Sequence, residues 1–434
     1  MATDPRAIID REPMSRFQWI VVAIMVGLNA LDGFDVLSIS FASPGITRAW
    51  HIQPAALGLV LSMELIGMAI GSVILGGVAD WVGRRRTILG CLVVMATGMF
   101  AASTAQDVET LSIWRVLTGL GIGGMLAATN AAVAEASNAA RRNLCVVLMA
   151  SGYPLGAIIG GSVSAVLLKH HDWPAVFQFG AFATTCFIPL VLWRAPESIA
   201  FQMQRGGADR VDAINRTLAR MRHPGVDTLP EDGGPAARVP LATLFSPAFL
   251  RLTMLMTIAY LAHVMTFYFI LKWIPRIVVD MGFAPSAAAG VLVWANVGGA
   301  SGALLLGLLT AKVRLRTLTM VAMAVSAVMV GIFGRGQANL AELATIAAAA
   351  GFFTNAGIVG LYGLLAESFP THIRATATGF VIGVGRGGSA LAPALAGVLF
   401  AAGYGLQLVA ILMALGSAVA LLALGLLGNK TVAG

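Results

Sequence analysis

Long apolar stretches, separated by short charged or Gly/Pro-rich breaks, run the length of the chain. Taking each break as a helix end predicts twelve helices, near 17–42, 54–79, 86–105, 109–137, 143–168, 173–194, 248–278, 285–311, 315–334, 338–367, 373–402 and 404–428. Each is close to the ~20 apolar residues needed to cross a bilayer. One long polar stretch, 196–247, rich in Arg, Asp, Gly and Pro, divides the chain into a six-helix half at 1–195 and another at 248–434. Inside it Val211, Ile214, Leu218 and Met221 recur at helical spacing, which predicts a short amphipathic helix on the cytoplasmic side. The fold class is therefore all-α integral membrane, in two halves.

Composition agrees. Of 434 residues, 58% are hydrophobic and only 11% charged, against about 25% charged in soluble domains. The net charge of +8 would suggest nucleic acid if it were clustered on one surface. Instead most Arg and Lys fall in alternate loops and the central segment, which excludes a nucleic-acid surface and places both termini in the cytoplasm. A multi-pass location in the inner (plasma) membrane follows, with the lipid bilayer as surroundings. Residues 1–16 are charged and carry no small-residue cleavage site, so no removable signal peptide is expected. Cys91, Cys145 and Cys186 lie inside spans, where small buried side chains are expected rather than disulfides or metal ligands.

Charges inside the spans change the picture. An ionised side chain at mid-bilayer costs at least about 2.5 kcal/mol on insertion scales, so such residues are read as functional. Asp32 and Asp35, in Leu31-Asp32-Gly33-Phe34-Asp35, share one face of the first helix and suit a site that takes and releases protons. Counting about 1.5 Å per residue from the helix ends sets Asp32, Glu64, His263 and Arg386 near one depth, with Asp35 and Arg115 higher. Level-matching nominates Asp32 with Arg386 and Asp35 with Arg115 as couples. Glu64 joins the proton-handling group, and Arg115, Arg386 and His263 the substrate-binding group. A guanidinium fork suits a carboxylate, so an organic anion is the expected cargo. Tyr260, Phe267, Tyr268 and Trp273, with Tyr362, are candidates to grip a ring, and Asn130 is a further candidate contact. Lys272 is expected to snorkel to the outer interface. Gly119-x-Gly121-x-x-Gly124 imitates a dinucleotide fingerprint, but inside a membrane helix it implies close helix packing.

The halves echo each other: Ala134-Glu135 precedes Arg142 as Ala366-Glu367 precedes Arg374. Gly77-x-x-Asp80-x-x-Gly83-Arg84-Arg85-Arg86 has a degraded counterpart from Gly307 to Arg316. The Gly77–Arg86 run resembles the loop signature of the major facilitator superfamily. Asp32-Gly-Phe-Asp35, together with Arg115-x-Leu-Thr-Gly-Leu-Gly-Ile-Gly-Gly, resembles its aromatic acid:proton symporter family. The resemblance implies a major facilitator fold and transport roles for Asp32, Asp35 and Arg115. Departures are Trp81 where a basic residue is common, Ala127-Ala128-Thr129-Asn130 after the helix 4 glycines, and Lys272 before Trp273. A cytoplasmic gate is expected from Asp80, Gly83, Arg84, Arg85, Glu135, Arg142, Glu367 and Arg374.

The function expected is proton-coupled import of a benzoate- or hydroxybenzoate-like carboxylate by alternating access. A non-aromatic organic anion such as a sugar acid is the runner-up, and drug export comes third. No nucleophile–base pair or metal constellation supports an enzyme, and a channel does not need a buried proton-titrating pair. No cofactor or metal is expected beyond the proton, and the chain is expected to act as a monomer.

Overall fold

In the computed structural model of the protein, residues 4–204, 209–229, 240–336 and 338–427 are described. Fifteen α-helices account for most of them. Twelve are long and apolar enough to cross a membrane. Before the central segment come α1 (Pro5–Arg11), α2 (Arg16–Trp50), α3 (Pro54–Val82), α4 (Arg84–Ser103), α5 (Val108–Ala136), α6 (Arg142–His170) and α7 (Pro174–Arg194). The central segment contributes α8 (Ile199–Gln204) and α9 (Arg210–Arg220). There follow α10 (Leu250–Asp280), α11 (Pro285–Leu309), α12 (Leu315–Phe333), α13 (Leu340–Ser368), α14 (Thr371–Ala401) and α15 (Leu406–Leu426). All of these are α-helical, and the protein is a multi-pass membrane protein.

Local chemistry sets several helix ends. Ser15 caps α2 by accepting from the Gln18 backbone, while the Gln18 side chain accepts from the Ser15 N–H, a reciprocal capping box. Pro54, Pro174 and Pro285 each stand in a first turn, where a missing N–H does no harm. α2 continues through Pro44 to Trp50, beyond the end expected at residue 42. The amphipathic helix expected in the central segment is α9, which buries Ile214 and Leu218. These join Ile8, Ile9, Ile199 and Met203 in a small core that ties α1, α8 and α9 together. That cap marks the proximal end of the bundle; the opposite end is distal.

Glycines decide how closely the helices meet. Gly67 and Gly71 of α3 pack on α5 backbone, and Gly119 and Gly123 of α5 pack on α3 backbone. The glycine run in α5 is thus a packing surface, as expected. Gly152 and Gly156 of α6 rest on Val26 and Ala30 of α2, and Gly33 of α2 receives the Tyr153 carbonyl.

The seam between the two sets of six spans is uneven. Distally, Gly58 of α3 meets Pro393 and Gly397 of α14, and Gly161 of α6 meets Val293 of α11. Proximally, Gly379, Gly383 and Gly387 continue the same face of α14 but have open space where a side chain would stand. The distal end is not sealed by these contacts: a cavity of about 390 Å³ lies there between Thr47, Pro54 and Leu57 on one side and Trp273, Arg276 and Phe400 on the other. Cys91 and Cys145 are buried, whereas Cys186 is exposed on α7, contrary to expectation, because that helix lies at the periphery.

Candidate functional site

The α3–α5 glycine interlock places Glu64 against Arg115. The two form an ion pair in which neither side chain is exposed. Glu64 also pairs with Lys272 of α10 at 3.3 Å, again fully buried. Lys272 donates a second hydrogen bond to the Val36 carbonyl of α2. Arg115 reaches the Asp35 backbone carbonyl at 2.9 Å and the Met99 sulfur at 3.1 Å, and its guanidinium lies 5.3 Å from the Phe177 ring centroid. Four spans, α2, α3, α5 and α10, thus meet at one charged centre that crosses the seam.

Asp32 and Asp35 lie beside this centre, both buried. None of their four carboxylate oxygens has a hydrogen-bond partner. A charged carboxylate in that setting has no hydrogen bond to offset its desolvation, and only Asp35 has a cation, Arg115, within electrostatic reach. Their protonation is therefore sensitive to any cation or ligand that approaches.

The expected couples need correction. Arg115 ion-pairs with Glu64, not with the Asp35 carboxylate, and touches Asp35 only through its main chain. Arg386 donates to the Met68 carbonyl of α3 at 3.4 Å and makes no ion pair with Asp32 among the described residues. Lys272 does not snorkel: its side chain is fully buried on Glu64. Height was misjudged as well as direction: Glu64, expected below Arg115 and level with Asp32, meets Arg115 and Lys272 directly.

Other candidates divide. Tyr260 and Tyr362 bring their hydroxyls to 3.1 Å, with ring centroids 5.8 Å apart. Both Tyr260 and Tyr268 lie within electrostatic reach of Arg386. Phe267 stands edge-on to Tyr268, centroids 5.3 Å apart. Tyr153, which the sequence did not single out, lies against Tyr268 and within reach of Glu64 and Asp32. Its only signal was the preceding Gly152, which lets α6 approach α2.

Three candidates face elsewhere. His263 turns into the second set of spans, with Nδ1 2.9 Å from the Ser417 hydroxyl and Nε2 2.8 Å from the Thr354 carbonyl. Both ring nitrogens are satisfied, so it does not line the seam. Trp273 donates to the Pro393 carbonyl at 3.2 Å and stacks near Phe400, centroids 4.9 Å apart, which builds it into distal packing. Asn130 is exposed and donates to the Leu126 carbonyl of its own helix at 2.8 Å.

The gate candidates cluster only in the first set of spans. Arg84 pairs with Glu135 at 3.1 Å and donates to the Ala79 carbonyl at 2.9 Å. Gly83 has φ +110°, and a side chain there would strike the Glu197 carboxylate. That carboxylate accepts from the Arg85 backbone at 3.2 Å. Arg142 pairs with Asp10 of α1 rather than with Glu135. Arg374 donates only to the Phe369 carbonyl, and Glu367 is exposed without an ion pair among the described residues. The side chain of Asp80 lies outside the described residues.

Twelve spans, a seam between two sets of six and a buried charge cluster across it define a membrane transporter. The sequence profile of the Major Facilitator Superfamily matches residues 25–334, and the chain belongs to that superfamily. It is 27% identical over 422 residues to the gallate transporter of Pseudomonas putida, covering 97% of this chain and 94% of that protein. The 4-hydroxybenzoate transporter PcaK of the same organism is 28% identical over 393 residues, covering 89% and 87%. Among solved structures, a D-xylose–proton symporter superposes with TM-score 0.71 at 16% identity, over 95% of this chain and 97% of that one. The chain is a transporter and not an enzyme, and its resemblance to the aromatic-acid branch of the superfamily stands.

Proposed function

We propose that the protein is a proton-coupled symporter that imports an aromatic carboxylate, benzoate- or hydroxybenzoate-like, by alternating access. The observation that carries this reading is the meeting of unpartnered carboxylates with cations at the seam. Asp32 and Asp35 lie buried without donors beside Glu64, Arg115 and Lys272. The names of the curated relatives favour aromatic acids over sugar acids or drugs. Tyr153, Tyr260, Tyr268 and Phe267 around Arg386 and Glu64 supply ring faces for such a cargo.

In this reading the proximal end is cytoplasmic, because basic residues concentrate there, and both termini are inside the inner membrane. Asp32 and Asp35 load a proton from outside, the anion enters beside Arg386 and Arg115, and neutralisation lets the halves rock. One proton per monoanion is electroneutral; a second draws about 2.3 kcal/mol per 100 mV from the membrane potential. The Arg84–Glu135 pair, with Gly83, Arg85, Asp80 and Arg142, serves as the cytoplasmic gate. The proton is the coupling ion, no cofactor takes part, and the unit is one chain.

Uptake by proteoliposomes under an imposed pH gradient tests the reading. Saturable accumulation of 4-hydroxybenzoate, abolished when the gradient is collapsed, is the expected result. Accumulation of gluconate in its place would transfer the assignment to sugar acids, and gradient-independent uptake would remove proton coupling.

A further inference from the structure

Two buried cations share a single carboxylate. Arg115 of α5 and Lys272 of α10 both pair with Glu64, and neither meets another carboxylate in ion-pair contact among the described residues. Their remaining donors make do with neutral acceptors: Asp35 and Val36 carbonyls and the Met99 sulfur. The Arg115 Nε has no acceptor at all. A carboxylate adds to such a bond the attraction between full charges, which a carbonyl or a thioether lacks. In direct ion-pair contact the two cations therefore have one carboxylate between them, the Asp32 and Asp35 carboxylates lying nearby without a bond to either, and the centre straddles the seam.

Groups on four other spans bear on the Glu64 charge. These are Arg115 on α5, Lys272 and Tyr268 on α10, Asp35 on α2 and Tyr153 on α6. From α14, Arg386 bonds the Met68 carbonyl one turn along α3. Two of the six are phenols beside the carboxylate, which is the surrounding an aromatic acid requires.

We propose that Arg115 and Lys272 form a two-cation clamp for the carboxylate of the transported acid, and that Glu64 is a built-in anion occupying the clamp between substrates. The proposal rests on the symport reading above and deepens it. The exchange conserves charge. A proton delivered through Asp32 and Asp35 bonds to the Glu64 carboxylate and neutralises it, and the bonds donated by Arg115 to its Oε1 and by Lys272 to its Oε2 lapse. The incoming carboxylate then accepts them from Arg115 and Lys272. One proton and one monoanion enter the centre together, so its net charge is unchanged. On release the acid leaves as an anion, Glu64 gives its proton to the inner side and pairs again. A substrate cannot hold the clamp while Glu64 is ionised, so binding and protonation are tied at one carboxyl group.

The test is ligand binding to the purified full-length protein by calorimetry between pH 5.5 and 8. The probes are 4-hydroxybenzoate and its uncharged analogue 4-hydroxybenzyl alcohol. Wild type should take up about one proton per acid bound, and its affinity should fall as pH rises. Glu64→Gln should bind the acid about tenfold tighter at pH 8 and take up no proton. Lys272→Gln should lose about tenfold in affinity for the acid and little for the alcohol, with Lys272→Arg recovering much of the loss. Should Lys272→Gln fail to fold, Glu64→Gln/Lys272→Gln removes both charges and should lack the tightening of Glu64→Gln alone. A Glu64→Gln protein with wild-type affinity and wild-type proton uptake overturns the clamp while leaving symport intact. Equal weakening of acid and alcohol in Lys272→Gln also overturns it, since that is the mark of a packing residue. Wild type that binds no aromatic acid removes the transport reading and the clamp together.

Discussion

The interiors of the two six-helix halves hold their polar groups differently. The first buries Asp32, Asp35, Glu64 and Arg115, with two carboxylates left unpartnered. The second buries His263, Ser417, Ser326 and Thr354 in a neutral chain in which each group has a partner. A neutral, satisfied network fixes one packing arrangement. An unbalanced charged cluster responds to any proton or ion that arrives. Under the proposed symport the two halves divide the work: titration falls to the first, rigid support and ring contacts to the second. Lys272 is the exception, a cation of the second half placed in the first half's cluster.

The largest test of this contrast is Arg115→Met. Removing one partner of a buried pair typically costs about 3–5 kcal/mol, and Glu64 would keep only Lys272. A large fall in thermal midpoint is expected, with much of it recovered in Glu64→Gln/Arg115→Met. A near-silent Arg115→Met would erase the distinction between the halves. Next in size, Arg386→Lys should weaken carboxylate binding by about tenfold, because a point charge replaces a planar fork. Titration of the purified variant with 4-hydroxybenzoate measures it, and unchanged affinity excludes Arg386 from the site.

Smaller effects follow at the periphery of the contrast. Arg84→Gln breaks the Glu135 pair, which is partly exposed, and should slow turnover a few-fold while KM stays near native. A rise in KM at native turnover would contradict the gate assignment. His263→Gln should lower stability by about 1 kcal/mol through its two hydrogen bonds and leave the pH profile of uptake unmoved. A shifted pH profile would make His263 part of the titrating machinery and break the comparison.

How far the sequence carried can be stated residue by residue. Hydrophobic length located the spans, and charge inside them singled out Asp32, Asp35, Glu64 and Arg115, because both signals are local. Azimuth was not legible, and height only coarsely, since Glu64 meets Arg115 instead of lying below it. Residue counting gives height along a helix, but which neighbour a side chain meets depends on how two helices roll together. That roll is set by pairs such as Gly119 on the Glu64 backbone and Gly156 on Ala30. Hence Arg115 found Glu64 instead of the Asp35 carboxylate, and His263 turned toward Ser417. Lys272 was expected at the interface because snorkelling is the rule for a lone cation; its partner lies 208 positions away in sequence. Arg142 was matched to Glu135 by the repeat, whereas α1, a helix the hydrophobic pattern did not show, supplied Asp10. Gly83 was legible from the loop signature, and glycine is needed there twice over: for its φ of +110° and because a Cβ would strike the Glu197 carboxylate.

The central claim is that the unpartnered pair Asp32 and Asp35 couples protons to transport. Asparagine at either position keeps size and hydrogen bonding but removes titration. The direct measurement is accumulation of 4-hydroxybenzoate by energised vesicles carrying Asp32→Asn or Asp35→Asn, set against binding by the same purified variants. Both variants should fail to accumulate substrate uphill, and at least one should still bind it. Native accumulation by both variants across a pH range would contradict the account.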